Sequence, residues 1–222
     1  LMGGQCVKVG APAFYRSRYS ARQKSHKILY VSSGLYMGAQ DKLHRAASDH
    51  TTCEFETALV EECFAPSGEE ILYKPYPAIR YLDPDPAVEA ARRSANIKVM
   101  DDPKDLRYII KYFSVLITSR SGSTVGYCLC QDVPLVYVKV PGRSLRENVE
   151  EAMRAGLFFF DARESNFYSS LMNFLRLPLH RILEQWNEKS GARAALIKNY
   201  IDDGASIGGE RAAQAIDQLI RR

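Results

Sequence analysis

From residue 27 to about residue 175, short and strongly apolar runs alternate with stretches whose apolar residues recur every three or four positions. The runs are Lys27-Ile-Leu-Tyr-Val31, Glu69 to Tyr73, Ile97 to Met100, Ser114-Val-Leu-Ile-Thr118, Pro134 to Val140 and Leu157-Phe-Phe-Phe160. Each ends near small polar residues, Asp or Pro, the pattern of a strand buried on both faces with a loop at its carboxyl end. Between them, Cys53 to Phe64 places Phe55, Leu59, Val60 and Phe64 on one helical face. Asp85 to Ser94, Asp102 to Tyr112, the segment from Thr124 through Cys130, Asn148 to Ala155 and Glu164 to Leu175 read as further helices. Strands that alternate with helices predict an α/β fold with a doubly wound parallel sheet, Rossmann-like in layout. Right-handed crossovers bring the carboxyl ends of all strands to one edge, and ligands bind in the crevice outside that edge.

Local signals refine this outline. Thr51 or Thr52 is expected to cap the first helix, with Glu54 and Glu56 in its first turn. Asp102 is expected to cap a helix that has Pro103 at its first position, with Tyr108 and Tyr112 packing on the helix face. Ahead of residue 27, Gln5 to Phe14 reads as a short strand ending at Gly10 and Pro12, and Tyr15 to Lys27 as a basic connection. Residues 1–26 are therefore expected to be a strand and linker from or towards a partner domain, 27–177 the α/β domain, and 178–222 a helical extension. Breaks in that extension are expected around Asp203-Gly204 and Gly208-Gly209. Trp186 and Tyr200 in it are candidates for contacts with a partner domain or for ordinary core packing.

Composition narrows the class. With 46% hydrophobic and 25% charged residues, the 222-residue chain has the make-up of a water-soluble globular protein. No apolar run reaches the length of a membrane span and no signal peptide opens the chain. The opening Leu1-Met2-Gly3-Gly4-Gln5 reads as a cut end, so a fragment of a longer protein is expected. The five cysteines lack framework or metal-site spacing and are expected to be reduced and mostly buried, Cys128 and Cys130 among them. A net charge of +4 suits a protein that handles phosphorylated ligands and is too small to imply a nucleic-acid partner. Basic residues in the tail, such as Arg193, Lys198, Arg221 and Arg222, read as a solvated face, with an anionic membrane surface as the alternative.

Three loops fall at the predicted carboxyl edge. Ser119-Arg-Ser-Gly-Ser-Thr124 joins the most apolar strand to a helix. Its hydroxyls, Arg120 and the free amides of the helix start make a phosphate site, and Gly122 lets a ligand approach the backbone. It lacks the Gly-Lys-Ser/Thr ending of a P-loop, and its alternative reading is a plain capping turn. In Lys74-Pro75-Tyr76-Pro77 two prolines stiffen the backbone and aim Lys74 at phosphate and Tyr76 at a base or sugar; the alternative is a rigid surface turn. Ser32, Ser33 and Gly34 are candidates for the donor sugar or the cleft wall. Asp101 stands at the next strand end and could face a base, whereas His44 and His50 read as solvated.

The order of these motifs resembles the C-terminal, donor-binding half of GT-B glycosyltransferases. Cys6-Val-Lys-Val-Gly-Ala-Pro-Ala-Phe14 is similar to the last strand of the first domain and its crossover. Lys27-Ile-Leu-Tyr-Val31 is similar to the opening strand of the second, and Ser114 to Val138 to the signature of strand, Ser/Thr-rich loop, helix and strand. Lys74-Pro-Tyr-Pro77 stands where enzymes using CMP- or CDP-linked donors carry a His-Pro or Arg-Pro-x-Pro pair. The layout looks most like bacterial surface-polysaccharide transferases, both the CMP-Kdo-dependent ones and the CDP-glycerol glycerophosphotransferases. The resemblance implies nucleotide binding by Lys74, Tyr76 and Pro77, and phosphate binding by Ser121, Ser123 and Thr124, beside the Ser119, Arg120 and Gly122 that the loop itself suggests.

In many UDP-sugar enzymes a Glu holds the ribose where Tyr127 stands here, which leans the reading towards a cytidine nucleotide. The resemblance further implies glycosyl transfer from a CMP-Kdo-like donor in lipopolysaccharide or capsule synthesis, at the cytoplasmic side and peripherally at the inner face of the plasma membrane. The nucleotide sugar is a substrate, and no cofactor or metal is expected. No paired carboxylates of glycosidase type stand out, so the catalytic carboxylate and the glycan-acceptor contacts are expected from a partner N-terminal domain. The alternatives are polyol-phosphate transfer from CDP-glycerol, a non-catalytic module that retains the fold, and a nucleotide-sugar hydrolase or epimerase.

Overall fold

The computed structural model describes residues 28–33, 48–76, 84–102, 104–201 and 208–221. The expected first strand and linker, Gly34, His44, Pro77, Pro103 and the break at Asp203-Gly204 lie outside the described residues.

Six parallel strands form one sheet in the order β3-β2-β1-β4-β5-β6. β1 (Ile28–Val31) lies between β2 (Ile71–Lys74) and β4 (Val115–Thr118), so that Tyr30 is level with Tyr73 on one side and Ile117 on the other. β3 (Ile97–Val99) extends the sheet beyond β2, while β5 (Leu135–Lys139) and β6 (Phe158–Asp161) extend it beyond β4. Ile28, Leu29, Tyr30, Val115, Leu116, Ile117 and Leu135 to Val138 are almost wholly buried, as expected for central parallel strands covered on both faces. The chain steps from β1 out to β3, returns to β4 beside β1, and steps out the other way to β6. With crossovers of one hand, that reversal sends the two sets of helices to opposite faces. This is the Rossmann-like, doubly wound α/β fold.

On one side are α1 (Asp49–Leu59), which runs through a π-helical stretch (Val60–Phe64) into α2 (Ala65–Ser67), and α3 (Pro86–Arg93). α7 (Phe167–Leu175) returns to pack against the π-helical stretch. Ser48, not Thr51 or Thr52, caps α1, accepting the Thr51 N–H at 3.0 Å. The helix thus starts several residues earlier than its pattern indicated, and Glu56 lies well inside it on the buried face with Thr52, Phe55 and Leu59. Gly68, at φ 76, ends the helical run in the left-handed conformation that glycine tolerates best.

The next helix also corrects its expected cap. Asp105 rather than Asp102 caps α4 (Leu106–Ile109), accepting the Arg107 N–H at 2.9 Å. Asp102 is exposed and paired with Lys104 instead. Because α4 is short and finishes as a 3-10 turn (Ile110–Tyr112), only Leu106, Ile109 and Ile110 reach the core. Tyr108 and Tyr112 are exposed rather than packed.

On the other side are α5 (Ser123–Cys130), α6 (Glu147–Gly156) and α9 (Ser190–Tyr200), preceded by α8 (Leu179–Glu188); α10 (Gly208–Ile220) ends the chain. Trp186 on α8 is fully buried, with its ring 5.7 Å from Phe158. Its indole N–H donates to Asp132 at 2.9 Å, and the Arg193 guanidinium lies 3.8 Å over its ring. Trp186 therefore serves core packing, whereas Tyr200 remains half exposed and takes a hydrogen bond from Asn148. α6 and α9 meet closely at Gly156, where an added Cβ would stand 3.2 Å from the Arg193 Cα. Gly156→Val forces these backbones apart and is expected to destabilise the fold by about 2 kcal/mol. Chemical denaturation checks this, and a midpoint equal to that of the wild type would contradict the contact.

Candidate functional site

A cleft of about 470 Å³ opens at the carboxyl edge, where β1 and β4 lie side by side and the chain reverses its direction across the sheet. β1 contributes Val31 and Ser32, and β2 contributes Lys74, Pro75 and Tyr76. Lys104, Asp105 and Leu106 come from the start of α4, and Arg120, Gly122, Ser123, Thr124 and Tyr127 from the β4–α5 connection and α5. Lys74, Tyr76, Arg120, Gly122, Ser123, Thr124 and Ser32, all singled out in the sequence, thus share one cleft.

Lys74 is 5% exposed, and among the described residues its ammonium has no hydrogen bond and no ion pair within 4 Å. Burial holds its pKa below the ordinary lysine value, partly opposed by Asp105 and Asp102 nearby. Facing the same cleft is the start of α5, whose N-cap is Gly122 and which lacks a side-chain cap bond. A Cβ built on Gly122 meets nothing within 4 Å, so its hydrogen leaves open space in the cleft. At the rim the Arg120 guanidinium stands 5.6 Å over the Tyr76 ring, and that of Arg107 stands 6.0 Å from the Tyr127 ring. Asp105 is the one carboxylate lining the described cleft. Its hydrogen bonds to the Arg107 side chain (2.8 and 3.0 Å) hold it below the usual carboxylate range, the wrong direction for a general base.

Behind the wall is a buried polar cluster. Glu56 Oε1 accepts the Ser33 N–H at 2.7 Å and the Tyr30 hydroxyl at 2.8 Å, while Oε2 accepts the Tyr73 hydroxyl at 3.2 Å. Ser33 Oγ meets Ser119 Oγ at 2.7 Å, and Ser32 Oγ accepts the Tyr76 N–H at 3.2 Å. Arg143 donates to the Ser119 carbonyl at 3.0 Å. Ser33 and Ser119 are consequently buried behind the lining, and Ser121 is exposed and outside the cleft lining. Asp101 lies apart from the cleft lining and pairs with Arg92 on α3 at 2.9 Å; His50 is exposed and pairs with Glu54.

Sequence reasoning missed the contribution of Lys104, Asp105 and Leu106, because the start of α4 was misplaced. It also missed Glu56. The available signal was its i, i+3, i+4 relation to Leu59 and Val60, which put a carboxylate on an apolar face.

Cys63, Cys128 and Cys130 are buried and in no disulfide, and burial pushes the Cys63 thiol up to about 12 and Cys128 higher, the state of inert thiols. Among the described residues, no group of three or more His, Cys, Asp or Glu is placed to hold a metal ion, and no helix is long and apolar enough to cross a membrane.

The fold and cleft together define a Rossmann-like α/β domain with a crevice lined by Lys74, Lys104 and Arg120 at its topological switch point. No protein-family model and no curated protein matches the chain. Among solved structures it is similar to the glycosyltransferase SnogD from Streptomyces nogalater, at 14% identity and a TM-score of 0.36 over 82% of this chain. The chain spans less than half (45%) of that protein's length. The likeness is weak, and the functional reading rests on the cleft itself.

Burial raises Glu56 to about 7, against the lowering effect of its hydrogen bonds from Ser33 and Tyr30. An unfolded glutamate titrates near 4.3, at about that value. Folding therefore tightens proton binding, so the stability that Glu56 contributes is full below the unfolded value and is lost as the pH rises through about 7. Relative to Glu56→Gln, the wild type is expected to lose about 3 kcal/mol between acidic and mildly alkaline pH. Urea denaturation at several pH values measures the difference; parallel pH profiles for the two proteins would refute it.

Proposed function

We propose that this cleft holds the nucleotide of a nucleotide-activated sugar and that the chain takes part in glycosyl transfer as the donor-binding lobe. The observation that carries the reading is Lys74. A buried ammonium with no ion pair within 4 Å among the described residues, and only the more distant Asp105 and Asp102 to offset it, is costly unless a ligand supplies an anion, and it shares its cleft with the uncapped start of α5. As the sugar leaves, negative charge grows on the nucleotide phosphate. Lys74, Arg120 and the α5 amides are placed to stabilise that charge. Tyr76 and Tyr127 offer aromatic surface for the base or ribose at the rim.

In the finer reading the donor is a CMP-linked acidic sugar of the Kdo type, used in bacterial surface-polysaccharide synthesis. The acceptor and the catalytic carboxylate come from a partner N-terminal domain, since Asp105 is committed to Arg107. Peripheral association with the inner face of the plasma membrane belongs to the same reading, and neither a cofactor nor a metal is invoked. The alternative donor is CDP-glycerol. What favours keeping it is the presence of three cations around the cleft, Lys74, Lys104 and Arg120, enough for a diphosphate.

Thermal-shift and calorimetric titrations with CMP, CDP and UDP test the reading, because a ligand that binds the folded state raises its stability with RT ln(1 + [L]/Kd). A cytidine nucleotide is expected to bind most tightly. Lys74→Met should lower its affinity about 10- to 100-fold, the worth of a charge-assisted contact, while leaving the unliganded fold at least as stable. Gly122→Val, whose Cβ meets no protein atom within 4 Å, should also block binding. A well-folded sample that binds none of the three nucleotides would sink the proposal.

A further inference from the structure

Glu56 does not line the cleft, yet the hydrogen bonds that shape the cleft converge on it. Its carboxylate holds the Ser33 N–H. Ser33 Oγ reaches Ser119, at the foot of the loop that carries Arg120 and Gly122. The same carboxylate accepts the hydroxyls of Tyr30 and Tyr73, which fixes it between β1 and β2. Ser32 in turn fixes the Tyr76 backbone and donates its own N–H to the Lys74 carbonyl at 3.1 Å. One carboxylate on α1 thereby reaches both ligand-facing loops through a single pair of serines.

The protonation state of that carboxylate sets the direction of the network. When ionised it only accepts, taking the Ser33 N–H and the hydroxyls of Tyr30 and Tyr73 together, while Ser33 Oγ and Ser119 Oγ share a hydroxyl hydrogen bond. When protonated it must also donate, which turns a tyrosine hydroxyl around and removes the charge that strengthens the Ser33 contact.

Among the described residues, the other titratable groups facing Glu56 are Tyr30 on β1, Tyr73 on β2, Asp85 at the cap of α3 and Cys53 on its own helix, with Arg143 acting on Tyr30. Burial keeps both tyrosines protonated far above neutrality and raises the Cys53 thiol.

We propose that Glu56 is a positioning residue for the cleft: by orienting the Ser32–Ser33 pair it holds the Lys74–Tyr76 and Ser119–Thr124 loops in register, so that the cleft binds its anionic ligand more tightly when Glu56 is ionised. The proposal rests on reading the cleft as a nucleotide site. Backbone-amide NMR titration tests the mechanical part without any ligand. The amides of Ser33, Tyr76 and Ser119 are expected to shift together with one midpoint close to about 7, the value to which burial raises Glu56, and to lose that transition in Glu56→Gln.

CMP affinity measured from pH 6 to 8 tests the consequence. The ratio of wild-type to Glu56→Gln affinity should rise severalfold across that range, and taking the ratio cancels the titration of the phosphate itself. Tyr30→Phe retains the carboxylate but removes one hydrogen bond to its charged form, so it should move the midpoint upward, and it decides the matter if Glu56→Gln does not fold. Silent amides, or an affinity ratio independent of pH, would overturn the proposal. Amides that titrate as expected in a chain that binds no nucleotide at any pH would uphold the positioning and overturn the nucleotide reading.

Discussion

The parallel pairing of β1 with β4 is the constraint on which the rest of the cleft depends. The two strands are neighbours in the sheet although far apart in the sequence, and the chain departs from them in opposite directions. At that point of divergence the described residues line a cleft. Register then does the finer placing. Val31 is level with both Lys74 and Thr118, so Ser32, Pro75 and Ser119 follow side by side, and Ser32 and Ser33 can bond Tyr76 and Ser119 across the gap. A slip of one residue in either pairing would exchange the faces of every side chain on that strand and scatter the cluster.

The sheet interior is apolar almost throughout, yet Ser32, Ser33, Glu56, Lys74, Thr118 and Ser119 are all buried close to this one edge. Buried polar atoms are tolerable when they satisfy one another, and the serines, Glu56 and the two tyrosines do so over short distances. A second buried polar group, Lys139 with Glu150 and Asp161 at the ends of β5 and β6, is closed in a different way. There opposite charges meet directly, and the Arg163 side chain holds Asp161 down to about 2. The contrast separates the two clusters, since Lys139 meets its carboxylates directly whereas Lys74 lines the cleft with no ion pair within 4 Å among the described residues.

The fold was legible because its signal is redundant. Six apolar runs each carry the pattern, and an error of a residue or two at an end does not change the alternation. The cleft was legible where function and chain punctuation coincide, as at Lys74-Pro75-Tyr76 and Ser119 to Thr124. It was illegible where a local competition decided the outcome. Asp102 and Asp105 both suit a cap, and only three-dimensional packing of Leu106, Ile109 and Ile110 selects the later start, which brings Lys104 and Asp105 into the cleft. Ser33 and Ser119 look like ligand contacts in the sequence because hydroxyls at strand ends serve ligands and wall bonds alike. Their 2.7 Å contact with each other comes from a tertiary pairing that sequence spacing does not encode.

Site and scaffold pull against each other in this arrangement. The ionised Glu56 that satisfies the network in one pattern is also the form that burial disfavours, and a charged Lys74 carries a similar cost. Arginine at position 74 would be better able to share its charge with surrounding groups, but its planar fork requires several acceptors in place. A lysine concentrates its charge at one point and leaves it to be met by a single incoming anion. A domain can hold such groups only if the remainder of the fold is stable enough to offset them. The anchoring of Trp186 by Asp132, Phe158 and Arg193, well away from the cleft, is the kind of packing that allows it. On this argument the C-terminal helices contribute to the site without touching it, by sustaining a sheet edge whose polar interior would not be stable alone.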